Sequence, residues 1–178
     1  DRLRKAQSLV SSNTSSIPIH LLAEGRSADF KAHFCGTHFF NPPRYLRLLE
    51  VIPTPDTRVE VTQHFMEFGK TALGKQTVLC KDTPAFIGNR IGVMSGSETF
   101  LLTEKYEFSV EEVDALTGSL IGRPNTATFR LQDLVGLDTS DNVSRFVTEN
   151  VKGDRYIDQL KEKPTPKFMR FLLDNKFL

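Results

Sequence analysis

Cysteine, a surplus of either charge and long apolar runs are what this sequence has least of, and each shortage removes a class of function. Among 178 residues only Cys35 and Cys80 are cysteines. Both lie in apolar stretches, which suits reduced thiols in a cytoplasmic compartment rather than a disulfide framework. Lys and Arg number 23 against 22 Asp and Glu, a formal net charge of +1. That balance leaves no electrostatic footprint for nucleic acid or an anionic membrane surface. No apolar stretch approaches the ~20 residues of a membrane-spanning helix, and the first residues lack the layout of a signal peptide. Internal repeats and low-complexity tracts are absent. The spacing of His33, Cys35 and His38 resembles a set of metal ligands. On a strand, however, His33 and Cys35 share one face while His38 points to the other. No second Cys/His pair follows, so no metal site is expected.

What remains is enough chain for one ordinary domain or two small ones. Ser8–Ser12 reads as a strand, followed by the polar turn Asn13-Thr14-Ser15-Ser16 and a short helical stretch over Ile17–Leu22. Phe34–Phe40 and Leu48–Ile52 read as strands, the second closed by Pro53 and Pro55. Val61, Phe65, Phe68 and Ala72 recur at helical spacing, Gly74 supplies a stop, and Gln76–Lys81 is a further strand. This alternation predicts a layered α/β unit. After Asp82 the pattern turns helical. Asp82 or Thr83 is expected to cap a helix that has Pro84 at its first position and runs to about Tyr106. Ser109 opens another helix with a capping-box start, and Phe129–Leu134, Val143–Val151 and Lys167–Leu173 are further helical pieces. The expected fold class is thus α/β followed by all-α, with domains over 1–82 and 83–178. Along the first helix of the second half, Ala85, Gly88, Gly92, Gly96 and Thr99 share one side. Interior glycines cost about 1 kcal/mol each against alanine. Their presence implies close approach by another backbone, from this chain, a ligand or a twin subunit.

The residue with the most chemical meaning is Glu50, alone among Leu48, Leu49, Val51 and Ile52. A carboxylate inside a buried strand costs several kcal/mol, on the order of any desolvated charge, unless it is paired. The nearest strong partner is His38, at the end of the preceding strand. A buried Glu that holds a His in one tautomer has the layout of a general acid/base pair. The same spacing also fits a purely structural His–Glu bond, and spacing alone leaves both readings open.

Four motifs carry a resemblance to a known family. Ser12-Asn13-Thr14-Ser15-Ser16, Gly36-Thr37-His38-Phe39-Phe40-Asn41-Pro42, Leu49-Glu50-Val51-Ile52 and Lys81-Asp82-Thr83-Pro84-Ala85-Phe86-Ile87-Gly88-Asn89-Arg90 resemble the 3-hydroxyacyl-CoA dehydrogenase family in order and spacing. Gly136-Leu137-Asp138-Thr139 adds a weaker match. The stretch Gly122–Arg130 looks most like the bacterial type fused to an enoyl-CoA hydratase domain. The resemblance implies the end of a Rossmann-type NAD-binding domain followed by a helical dehydrogenase domain. It implies an enzyme that oxidises (3S)-3-hydroxyacyl-CoA to 3-oxoacyl-CoA with NAD in fatty-acid β-oxidation. By its motifs His38 is the base, Glu50 its partner, Ser15 and Asn89 substrate-binding, and Asn13 and Asn41 cofactor-binding. The expected partners are an acyl-CoA substrate and a second copy joined through the helical domain.

No G-x-G-x-x-G occurs in the 178 residues, and the sequence begins without Met. The chain is therefore expected to be an internal stretch of a longer enzyme and inactive by itself. The competing reading is a non-catalytic structural or dimerisation module with the same fold. Such a module requires none of Ser15, His38, Glu50 or Asn89.

Overall fold

The computed structural model describes residues 3–175, and the chain divides into two compact units, Asp1–Asn89 and Arg90–Leu178. In the first unit the elements run β1 (Val10–Ser12), α1 (Ile19–Leu22), α2 (Ala28–Ala32), β2 (Phe34–Phe39), β3 (Leu48–Pro53), α3 (Val59–Thr71) and β4 (Gln76–Leu79). They build one four-stranded sheet in the order β1-β2-β3-β4. β1 and β2 are parallel, as are β3 and β4, while β2 and β3 are antiparallel. The α1–α2 and α3 crossovers serve the parallel pairs, because parallel neighbours cannot be joined by a tight turn.

Side-chain alternation divides the sheet into two apolar faces. On one, Cys35, Leu49 and Val51 are buried under Phe65 and Met66 of α3. On the other, Phe34 and Ile52 pack with Ile19 and Ala23 from the α1 segment and with Cys80 and Phe86. Each fully buried Ile or Leu contributes about 1.5–3 kcal/mol, and Ile19, Leu49 and Ile52 are all buried. Gly36 makes this second layer fit. A Cβ there would lie 2.7 Å from Ile19 Cδ1.

The segment after β4 departs from the sequence expectation. No helix starts at Pro84; α4 spans Gly88–Tyr106. Ala85 and Phe86 precede it at φ 59° and 46°, in the left-handed region where a helix cannot run on. Nor does Asp82 cap α4. Its carboxylate instead accepts the N–H groups of Ile19 (2.5 Å) and His20 (2.9 Å) and contacts His20 Nδ1 at 2.7 Å. The open N-terminus of α1, which has only Pro18 at its cap, claims the acid that sequence proximity assigned to α4.

The second unit contains the body of α4, then α5 (Val110–Thr117), a 3-10 turn (Ser119–Ile121), α6 (Phe129–Val135), α7 (Leu137–Asn150), α8 (Arg155–Glu162) and α9 (Lys167–Asp174). The expected capping box is made: Ser109 Oγ accepts from Glu112 N and Glu112 Oε2 accepts from Ser109 N. α7 starts six residues earlier than its apolar pattern indicated, at Leu137 rather than Val143. α8 was not foreseen, although Asp154 accepts the N–H groups of Tyr156 and Ile157 in ordinary N-cap fashion. Phe100, Phe129 and Phe168 form an aromatic cluster with centroids 5.5–6.3 Å apart. The glycine face of α4 resolves into two cases. Within the helical unit, a Cβ at Gly92 or Gly96 would meet nothing within 4 Å, whereas at Gly88 it would fall 2.4 Å from Phe40 Cζ.

Candidate active site

The β2–β3 ladder places His38 directly opposite Glu50. Opposed residues of an antiparallel pair share a face with Cβ atoms about 4.5–5.5 Å apart, so the register alone brings the two side chains within reach. His38 Nδ1 lies 2.7 Å from Glu50 Oε2, and the residues are 3% and 1% exposed. The other carboxylate oxygen, Oε1, accepts the N–H of Gly88 at 2.7 Å and of Ile87 at 3.0 Å. These are open donors at the start of α4, where a helix carries partial positive charge. One buried carboxylate thus serves an imidazole and a helix start together.

Burial pushes the Glu50 carboxyl up. The hydrogen bond from His38, the Gly88 N–H, the His38 charge and the Ile87 N–H together outweigh burial, and the group ends below the usual carboxylate range. Glu50 is therefore ionised at neutral pH. It accepts the proton on His38 Nδ1, which leaves Nε2 as the basic nitrogen of the neutral ring. The Phe40 ring, 4.4 Å from the imidazole centroid, and Phe86, at 5.8 Å, wall the site. The thiols are not poised for chemistry. Burial drives both Cys35 and Cys80 up to about 12, with the Glu50 charge adding to the effect at Cys80.

The other motif residues are joined in two further contacts. Asn89 Nδ2 donates to the Ser15 carbonyl at 2.9 Å, which ties the turn after β1 to the first turn of α4. Asn13 Oδ1 accepts from Phe39 N at 2.9 Å, one residue from His38. Asn41 stands exposed on the loop after β2, with a cis bond to Pro42. His33 is occupied elsewhere, its Nδ1 2.7 Å from the Asp29 carbonyl. Among the described residues no three His, Cys, Asp or Glu side chains gather as metal ligands.

Ligands of open α/β sheets bind outside the carboxyl ends of the strands. Asn13 and Asn41 stand at the carboxyl ends of the parallel strands β1 and β2. Asn13 Oδ1 is taken by Phe39 N, and the side-chain amide also carries N–H donors. This chemistry fits the carboxamide end of a nicotinamide.

Lys75, which sequence reasoning passed over, also matters, because its ammonium group grips the loop after β2. Asp82, read from the sequence as a cap for the following helix, instead fixes α1. Lys75 follows directly on the Gly74 helix stop, which was the one signal available for it.

Comparisons with known proteins agree over nearly the whole chain. Residues 1–83 match the family model described as 3-hydroxyacyl-CoA dehydrogenase, NAD binding domain, and residues 86–173 match 3-hydroxyacyl-CoA dehydrogenase, C-terminal domain. A Bacillus subtilis protein named "Probable 3-hydroxyacyl-CoA dehydrogenase" is 48% identical over all of this chain, which spans 22% of that protein. The human mitochondrial hydroxyacyl-coenzyme A dehydrogenase is 34% identical over 99% of this chain, and 54% of its own length is covered. The crystal structure of M. tuberculosis FadB2 superposes with a TM-score of 0.80 at 31% identity, over 99% of this chain and 59% of that one. The chain therefore spans between about a fifth and three fifths of the proteins it resembles.

Proposed function

The chain belongs to the 3-hydroxyacyl-CoA dehydrogenase family, and we propose that the whole protein oxidises (3S)-3-hydroxyacyl-CoA to 3-oxoacyl-CoA as a step of fatty-acid β-oxidation. The observation that carries this reading is the buried 2.7 Å contact between His38 Nδ1 and Glu50 Oε2. In the forward reaction His38 Nε2 takes the proton of the C3 hydroxyl, and the ionised Glu50 stabilises the imidazolium that results. NAD, when bound, accepts the hydride from C3. Ser15 and Asn89 supply neutral hydrogen-bonding groups that hold the C3 oxygen or the thioester carbonyl without adding charge. Asn13 and Asn41 hold the nicotinamide end of the cofactor.

Two buried free thiols suit a reducing compartment, and we place the protein in the cytoplasm. No helix among the described residues is long and apolar enough to cross a membrane. A Rickettsia felis relative named "Putative fatty acid oxidation complex trifunctional enzyme", 37% identical over 79% of this chain, supports a fused arrangement, with the enoyl-CoA hydratase domain suggested by the resemblance of Gly122–Arg130. The open Gly92/Gly96 face supports a homodimer through the helical unit, which light scattering of the full-length protein tests.

The activity test is NADH formation from 3-hydroxybutyryl- and longer 3-hydroxyacyl-CoA by the full-length protein, with and without His38→Ala. Activity that disappears with His38→Ala is the expected result. No NADH from any chain length overturns the reading in favour of a structural module, and a fully active His38→Ala removes His38 as the base.

A further inference from the structure

Lys75 lies in the turn between α3 and β4, outside every motif discussed above, and its ammonium group is spent on a single loop. Nζ donates to the carbonyls of Pro43 and Leu46, the latter at 2.7 Å, and stands 5.9 Å from the centroid of the Phe39 ring. The loop it grips, residues 40–47, joins β2 to β3 and so connects His38 to Glu50. Tyr45 N and Leu46 N both donate to the Pro42 carbonyl, which makes one helical turn. Lys75 caps carbonyls of that turn, where a cation is favoured. The turn holding Lys75 is itself anchored, since Lys75 N donates to Gly69 O and Gln76 N to Arg47 O, both at 2.8 Å. Gly74, at φ 63°, supplies the left-handed residue this reversal requires.

We infer that Lys75 is a positioning residue for the reaction, acting through the 40–47 loop; the inference rests on the function proposed above. The loop begins at Phe40, whose ring covers the His38 imidazole and meets Gly88 at the start of α4. Its next residue is Asn41, assigned to the cofactor. A loop free to shift by an ångström would move Phe40 off His38 and move Asn41 with it. Displacements of that size cost on the order of 10²-fold in rate. A neutral polar side chain in place of Lys75 could satisfy one of the two carbonyls, but it would supply neither the second bond nor the charge over Phe39.

The experiment compares Lys75→Met and Lys75→Arg with the wild-type full-length protein, and Lys75→Gln replaces Lys75→Met should that variant not fold. For Lys75→Met, kcat is expected to fall about tenfold or more while KM for the acyl-CoA stays nearly constant. Lys75→Arg, which keeps the charge and several donors, is expected to restore most of kcat. A role confined to holding the turn together would lower the melting temperature and leave kcat of the folded protein unchanged; that outcome overturns the inference. Amide hydrogen exchange over residues 41–47 gives a readout independent of turnover. Faster exchange in Lys75→Met supports the clamp, and unchanged exchange overturns it even if the wild type proves inactive on acyl-CoA. Inactivity of the wild type alone counts against the proposed function and not against the clamp.

Discussion

Glu50 joins His38 to Gly88, taking the imidazole on one carboxylate oxygen and the N–H at the start of α4 on the other, each at 2.7 Å. The proposed base and the first turn of the longest helix therefore depend on one buried side chain. Chemistry and stability at this point are linked, and substitutions can separate them.

Glu50→Ala removes the acceptor for Ile87 N, Gly88 N and His38 Nδ1 at once. Breaking one partner out of a buried charged pair costs about 3–5 kcal/mol, and a loss of that size is expected in urea unfolding. Glu50→Gln keeps the shape and one oxygen. It should lose less stability yet reduce kcat by about 10²–10⁴, the usual worth of a general acid/base, because an amide cannot stabilise the imidazolium.

Acid stability follows from the same carboxyl. The folded protein holds the Glu50 pKa below its unfolded value. The stabilisation is fully present above the ordinary carboxylate range and is lost as pH falls through the depressed folded value. Unfolding free energy measured downward from pH 7 should drop more steeply for the wild type than for Glu50→Gln, which has no proton to take up there. Parallel curves would separate Glu50 from the acid transition.

Ala85→Gly is expected to leave stability nearly unchanged, because opposing effects cancel. Ala85 sits at φ 59° with its N–H bonded to the Ser16 carbonyl at 2.9 Å. The left-handed conformation costs a non-glycine residue roughly 1–2 kcal/mol, while glycine's extra freedom in the unfolded chain returns about 0.4–1 kcal/mol of that. Ala85 is also fully buried, and losing its methyl costs about 0.8 kcal/mol, so denaturant midpoints should differ little between the two proteins.

Asp114 is the corresponding site in the helical unit. Buried at 8% exposure, its carboxylate accepts the N–H groups of Thr128, Phe129 and Arg130 at 3.0, 2.6 and 3.1 Å. Asp114→Ala leaves three donors without an acceptor at the start of α6 and should destabilise the protein by about 2–3 kcal/mol, given 1–3 kcal/mol for each buried unsatisfied group. Asp114→Asn, with one acceptor oxygen left, should fall in between. Calorimetry on the three proteins checks the order.

The sheet was legible because its signals are local. The mostly apolar runs Phe34–Phe39 and Leu48–Pro53, with a lone acid in the second, were enough to make His38 the candidate partner of Glu50. What could not be read was the competition for caps. Asp82 precedes Pro84 in the manner of an N-cap, yet an α1 terminus sixty-odd residues earlier in the chain takes its carboxylate. That preference depends on tertiary proximity, which a window along the sequence does not contain. The start of α4 was misplaced for the same reason, since its first N–H groups find their acceptor in Glu50 and not in a neighbouring side chain. Short α2 and α8 escaped because three apolar positions in each do not establish a helical period. Asp154 was a visible cap with too little pattern behind it.

The connection from Asp82 to Gly88 belongs to no strand and, until its last residue, to no helix. It is nevertheless fastened at three points: at Asp82 to α1, at Ala85 to the Ser16 carbonyl, and at Ile87 and Gly88 to Glu50. An irregular stretch so stitched cannot be drawn out into the extended strand that an endoprotease needs for cleavage unless all three fastenings open together. A digestion map should therefore show it as protected chain, with the first cuts falling elsewhere.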